Sequence, residues 1–208
     1  MSKRSSGGRV VLSGMLAIVA AAGAGLLTAA LTLGPAKPPA PKAMPEVAYD
    51  PSMRTFPASE PVKVEIPAIQ VRADVMSVGT TPTAELEVPD VIKQPMLAGW
   101  YRLGPTPGEA GSSVIVGHVD SESTGPAVFF NLGKLVPGDV ISVLRKDGLL
   151  AVFKVNEVKL FPKTQFPHDR VYGEADTAQL RLITCGGELD KKNRNYLSNV
   201  VVFASLAA

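Results

Sequence analysis

The chain has 208 residues, of which 46% are hydrophobic, 19% charged and 6% aromatic, with 19 Gly, 18 Pro, one Cys and two His. So many helix breakers exclude a coiled coil, the supply of Val, Ile and Leu excludes full disorder, and a lone cysteine excludes an intrachain disulfide and argues against a thiolate metal site. The net charge of +2 is unevenly spread: Lys3, Arg4, Arg9, Lys37 and Lys42 precede the first acid, so the remainder is net acidic and lacks an electrostatic footprint for nucleic acid.

Val10 to Gly34 is a run of 25 residues without a charge. About 20 apolar residues suffice to cross a bilayer as a helix. Lys3, Arg4 and Arg9 lie ahead of it, so residues 1–9 are expected in the cytoplasm and everything after the span outside. The alternative is a cleaved signal peptide, whose apolar region is ordinarily shorter, about 7–15 residues. The reading preferred here is an uncleaved transmembrane anchor over 10–34. Residues 35–60 are crowded with proline, which fixes φ and lacks an amide donor. They predict an extended, semi-rigid extracellular linker.

Residues 61–208 read as one all-β domain. Val62–Ile66 alternates with period two, Val71–Val78 is a second strand, and Glu85–Val88 a short third. Ser113–His118 is a continuous apolar strand, expected to be buried on both faces. Val140–Leu144 follows a Pro-Gly-Asp turn, and Asp147-Gly148 marks a hairpin into Leu149–Lys159. Leu180–Cys185 and Val200–Ala204 complete the set. Only Pro126–Leu135 predicts a brief helix. Some eight strands separated by turn signals suggest a closed barrel or sandwich. Trp100-Tyr101 reads as core packing.

Two strand ends carry the candidate chemistry. Cys185 closes an apolar strand and is followed by Gly186 and Gly187, where the chain is expected to leave the sheet, placing the thiol near a rim. In an exported protein a lone cysteine is either an inert buried thiol or a reactive one. His118 also ends an apolar strand. A cysteine nucleophile needs a nearby base or cation, and a developing oxyanion needs a donor. Arg181 and Arg194 are the arginines nearest to Cys185 in the chain.

The segment LITCGG followed by NVVVFA resembles the cysteine signature and final strand of the sortases, membrane-anchored transpeptidases of Gram-positive cell surfaces. Their signature is Thr-Leu-X-Thr-Cys, and Arg181-Leu182-Ile183-Thr184-Cys185 departs from it only at the first position. The stretches PVKVEIPAIQV, AGWYRLGPTPGEAGSSVIVGHVDS, GPAVFFNLGKLVPGD, FPKTQFP and LRLITCGG resemble class F sortases of actinobacteria. The resemblance covers Glu60 to Ala204.

The resemblance implies an eight-stranded sortase-type barrel with one or two short helices, needing no cofactor. Cys185 would attack the Thr–Gly carbonyl of a Leu-Pro-X-Thr-Gly-like sorting signal and form an acyl-thioester. His118 would protonate the departing amine and then activate the acceptor. The partners implied are surface proteins with a C-terminal sorting signal, the membrane through the N-terminal helix, and a cell-wall precursor amine, or water in hydrolysis. An arginine would bind the peptide and the oxyanion, but Tyr196-Leu197-Ser198-Asn199-Val200, where many sortases carry it, contains none. Arg194 lies a few residues earlier in a loop. Arg181 would share a strand face with Ile183 and Cys185 but stand about 13 Å away. Arg194 is favoured and Arg181 is the alternative.

Phe161, Pro162, Phe166 and Pro167 lie in the loop where similar sortases build their peptide groove. Thr184 is a candidate support for the oxyanion, and Asp120, with Ser121, for orienting the imidazole. His168 reads as a solvated loop residue. No metal site is expected. An L,D-transpeptidase is disfavoured because its His-Gly-Cys-X-Arg type of signature is missing, and a papain-like hydrolase because His118 precedes Cys185. The non-enzymatic alternative is a membrane-tethered β-domain for adhesion or cell-wall binding, which needs no reactive thiol.

Overall fold

In a computed structural model of the protein, which describes residues 37–41, 55–83 and 85–207, the alternating run ahead of Pro67 forms the first strand, β1 (Pro61–Ile66). The chain divides into two units, Met1–Lys37 and Pro38–Ala208, and the fold described is that of the second. The expected span over 10–34 and most of the linker lie outside the described residues. The other strands are β2 (Val71–Val78), β3 (Ala98–Tyr101), β4 (Gly111–Val116), β5 (Asp120–Ser121), β6 (Gly125–Pro126), β7 (Val140–Arg145), β8 (Leu150–Pro162), β9 (Ala178–Asp190) and β10 (Asn195–Leu206).

Eight of these close into a barrel in the order β1-β2-β3-β4-β9-β10-β8-β7, with β5 and β6 forming a separate small hairpin. Pairing is antiparallel except at β2–β3 and β4–β9. Alternation fills the interior: Ile141 and Val143 on β7 and Ala151, Phe153 and Val155 on β8 point inward, and Leu180, Leu182, Val200 and Val202 meet them. β4 is buried throughout because its other face is also covered. There Val114 and Val116 join Val78, Val171, Ile183, Val201 and Phe203 in a second apolar cluster on the outside of the barrel.

The short helix α1 (His168–Tyr172) supplies part of that cover through Val171. Its Arg170 is ion-paired with the buried carboxylate of Glu157, which Lys159 also reaches at 2.8 Å, and the Arg170 guanidinium lies 4.4 Å from the centre of the Phe203 ring. The helix is therefore held by charge and by an aromatic face rather than by its own length.

Two expectations are corrected, and one strand is added. Glu85–Val88 is not a strand: only Leu86 bridges to Thr80, and the Glu87 side chain turns back to accept the Gly79 amide at 2.7 Å. β3 takes the missing place in the barrel; its Ala98, Gly99 and Trp100 are all buried, so no alternation marked it. Pro126–Leu135 forms no α-helix but turns and one 3-10 turn at Leu132–Lys134. The amides of Ala127, Val128 and Phe129 bond instead to the carbonyls of Val119, Pro95 and His118, which sets Phe129 and Leu132 into the barrel core.

The end of the proline-rich stretch is fastened to the barrel. The Phe56 amide donates to Gly108 O at 2.7 Å and the Ser59 amide to Thr106 Oγ1 at 3.0 Å. Arg145, fully buried, donates to Pro57 O and Pro107 O, each at 2.6 Å, and lies over the Phe56 ring. Arg145→Ala leaves both carbonyls without a donor and is expected to cost about 2–4 kcal/mol of stability. Urea unfolding of wild type and variant measures this; a change below about 1 kcal/mol would show that water replaces the guanidinium freely.

Candidate functional site

The site is set by the parallel pairing of β4 with β9, in which Val116 stands opposite Ile183 and the Gly117 amide donates to Ile183 O at 3.1 Å. Two residues further along each chain come His118 and Cys185, so the register sets these two residues at the same level on adjacent segments. Both are half-buried. Glycine is required at 117: a Cβ there would lie 2.6 Å from Val128 Cγ1 and 2.7 Å from Phe129 Cδ2.

His118 is fixed from both ends. Its carbonyl accepts the Phe129 amide at 3.0 Å, and its Nε2 donates to Pro89 O at 2.6 Å. A carbonyl can only accept, so Nε2 carries a proton and Nδ1 is the ring nitrogen outside that bond. Sequence reasoning missed Pro89, and had no signal for it, since the contribution is a main-chain oxygen from the β2–β3 loop.

Cys185 does not end its strand, contrary to expectation. β9 runs on to Asp190, and the glycines serve a bulge: Gly187 has φ of 81°, and the β9–β10 register shifts between Tyr196 and Ser198. Cys185 pairs across the ladder with Asn199, and Asn199 in turn pairs with Phe161 of β8. Ile183, Val201 and Phe203 belong to the outer cluster, so alternation carries Cys185 and Asn199 onto that same outer face. A row therefore runs from Phe161 through Asn199 and Cys185 to the level of His118.

Aromatic rings continue from one end of the row. Phe161 meets Phe166 and Phe203 edge-on, with centroids 6.4 and 6.3 Å away, and Phe166 touches His168 and Tyr172. Phe166 and Pro167 line a shallow open depression with His168, Asp169 and Arg170. Pro162, exposed, ends β8. His168, expected to be solvated, is exposed but also stacks on Tyr172 at 6.0 Å. Trp100 is a core residue, whereas Tyr101 packs on the outer wall against Tyr172.

The remaining candidates are dispersed. Thr184 lies on the opposite face from Cys185, buried, with an Oγ1 that has no partner among the described residues. Asp120 accepts from the Tyr196 hydroxyl at 2.6 Å, so its hydrogen bond goes to Tyr196 while the imidazole's goes to Pro89. Burial above all, then the Asp120 hydrogen bond and charge and the nearby Cys185, pushes the Tyr196 hydroxyl well above its ordinary value and keeps it a donor.

The two arginines differ sharply. Arg181 is buried beneath the Phe203 ring at 4.7 Å, donates to Leu180 O at 3.1 Å, and leaves its Nε unpaired among the described residues. Burial, and then Arg170, lowers its pKa to about 10, so it remains a cation at neutral pH. Arg194 is exposed, adopts φ of 53° in the β9–β10 turn, and is ion-paired with Glu122 of the β5–β6 hairpin. Neither guanidinium makes a hydrogen bond to Cys185 or His118. Among the described residues no cluster of three or more His, Cys, Asp or Glu could hold a metal ion.

Residues 64–207 match a family model described as the sortase domain. No curated protein matches the chain by sequence. Among solved structures the fold is similar to sortase C of Clostridium perfringens SM101, with 20% identity, a TM-score of 0.51, and coverage of 70% of this chain and 68% of that one. It is also similar to a lid mutant of sortase A from Corynebacterium diphtheriae, with 18% identity, a TM-score of 0.55, and 73% of each chain covered. A sortase D5 transpeptidase of Clostridium perfringens gives 21% identity, a TM-score of 0.53, and coverage of 72% and 79%.

Proposed function

The chain belongs to the sortase family, and from that premise we propose a membrane-anchored, extracellular cysteine transpeptidase of class F that cleaves a Leu-Pro-X-Thr-Gly-like sorting signal. The observation that carries this reading is the β4–β9 register, which levels His118 with Cys185 beside an aromatic-lined outer wall. The class assignment rests on the stretches that resemble class F enzymes. The placement rests on the charge-free run over 10–34 and the bases ahead of it.

The chemistry divides into two half-reactions. The Cys185 thiolate attacks the threonine carbonyl carbon; the C–S bond forms and the C–N bond breaks as the imidazolium of His118 gives its proton to the departing glycine amine. A cell-wall precursor amine, or water, then gives up a proton to the imidazole and attacks the thioester, and the thiolate leaves. Nδ1 is the atom that handles both protons, because Nε2 is held by Pro89. Phe161, Phe166 and their prolines offer a preformed apolar wall for a Leu-Pro segment.

Mass spectrometry of the full chain in detergent, incubated with sorting-signal peptides, tests the reading. The expected result is an adduct of the acyl fragment on Cys185 with release of the glycine-terminated remainder. A thiol that neither acylates nor reacts with a thiol-selective reagent would favour the non-catalytic, tethered β-domain.

Arg194 is proposed as the arginine that grips the peptide and the oxyanion once Glu122 lets it go. Its guanidinium is exposed and held by a surface ion pair, whereas that of Arg181 is buried beneath Phe203. Arg194→Ala is expected to lower turnover about 10²-fold, and Arg194→Lys nearly as much, since lysine lacks the planar fork. Arg181→Ala should cost far less turnover. Steady-state kinetics on one peptide, with thermal melts as control, decide it: a dead Arg181→Ala beside an active Arg194→Ala reverses the assignment.

A further inference from the structure

We propose that the side-chain amide of Asn199 is a catalytic hydrogen-bond donor to the oxyanion formed when Cys185 attacks its substrate. The proposal rests on the sortase reading and adds to it a residue that the cysteine signature does not contain. Asn199 and Cys185 are direct cross-strand partners on β10 and β9. Side chains so paired stand on one face with Cβ atoms about 4.5–5.5 Å apart. An amide at that distance reaches the oxygen of a carbonyl whose carbon is bonded to the thiol sulfur.

The other side-chain donors around the thiol are committed or turned away. The Tyr196 hydroxyl donates to Asp120, His118 Nε2 donates to Pro89 O, and Arg194 has to leave Glu122 before it can join Asn199 at the oxyanion. Thr184 faces the barrel interior, and Arg181 lies four residues down the strand under Phe203. Asn199 is half-buried and its side chain makes no hydrogen bond with a described residue. Its other strand neighbour is Phe161, the first ring of the aromatic wall. A peptide lying along that wall with its scissile carbonyl over Cys185 brings the carbonyl oxygen past Asn199. A neutral amide is well matched to this role, because one of its N–H groups donates to the tetrahedral oxyanion without adding a charge that would alter the thiolate beforehand.

The test compares two reactions of the same thiol in the full chain in detergent. Acylation by a sorting-signal peptide passes through an oxyanion; alkylation by iodoacetamide, which forms C–S and breaks C–I, does not. Asn199→Ala is expected to slow acylation about 10²-fold with KM little changed, and to leave the alkylation rate within about twofold. Asn199→Asp, which removes the donors and adds a negative charge beside the thiolate, should be at least as slow in acylation. Asn199→Ser, with a shorter donor, should recover part of the rate; melts of all three report folding. Acylation of Asn199→Ala within about threefold of wild type overturns the role of Asn199 and leaves the sortase reading intact. A rise in KM alone, or an equal fall in alkylation, overturns it in favour of peptide binding or of an effect on the thiol. A wild-type chain that alkylates but never acylates overturns the sortase reading itself, and this proposal with it.

Discussion

Cys185→Ala is expected to abolish peptide cleavage, a loss on the order of 10⁵-fold or more, because the proposed acyl bond forms on its sulfur. Cys185 is the protein's one cysteine, so no second thiol can stand in. The fold should survive. The thiol is half-exposed at the end of the outer cluster, and alanine keeps its Cβ between Asn199 and the β4 end. A melting temperature within about 4 °C of wild type is the expected control. Cleavage retained above background in a folded Cys185→Ala protein would remove the nucleophile and the mechanism built on it.

His118→Ala is the second large effect, expected at about 10³-fold in turnover, since one imidazole serves both proton transfers. The effect should split by step. With a substrate whose leaving group needs no protonation, such as an activated ester, acylation should recover much of the loss, while transfer to an amine should remain slow. A loss below about tenfold with the peptide, or an equal loss with both substrates, would reduce His118 to packing against Pro89 and Phe129. A parallel variant, Gly117→Ala, pushes a methyl into Val128 and Phe129 and so displaces the imidazole without removing it. It is expected to lower turnover with both the base and the nucleophile still present.

The barrel was legible where alternation was clean. Val71–Val78 agrees with β2 at both ends, and the Asp147-Gly148 turn joins β7 to β8 as its chemistry demands. The expected number of strands agrees with the barrel only because two errors cancel: Glu85–Val88 looks like a strand and is irregular chain with one isolated bridge, while Ala98–Tyr101 is a strand with Ala98, Gly99 and Trp100 all buried and shows no period. Helix α1 was invisible because five residues give no periodicity. At the site, what sequence exposes is a reactive residue type at the end of an apolar run, and that singled out Cys185 and His118. What it hides is anything made by register or by main chain. Asn199 gains its place beside Cys185 from ladder pairing, and Pro89 gains its place from a carbonyl. Proximity in sequence misleads in the opposite direction: Thr184, next to Cys185, faces away from it, and Asp120, two residues after His118, holds Tyr196.

The parallel pairing of β4 with β9 also bears on when the thiol acquires its base. β7–β8 and β9–β10 are antiparallel neighbours joined by short turns, so each can zip from its own turn. β4 and β9 have the whole β5–β8 region between them in the chain, and a parallel ladder has no turn from which to start. Closing so long a loop costs entropy before any contact repays it, so this seam is expected to form after the hairpins. A chain that has formed its hairpins but not that seam already displays Cys185 next to Asn199, with His118 still elsewhere. In such a chain the proposed nucleophile lacks its proposed base, and pairing of β4 with β9 is the step that brings the two residues onto adjacent segments.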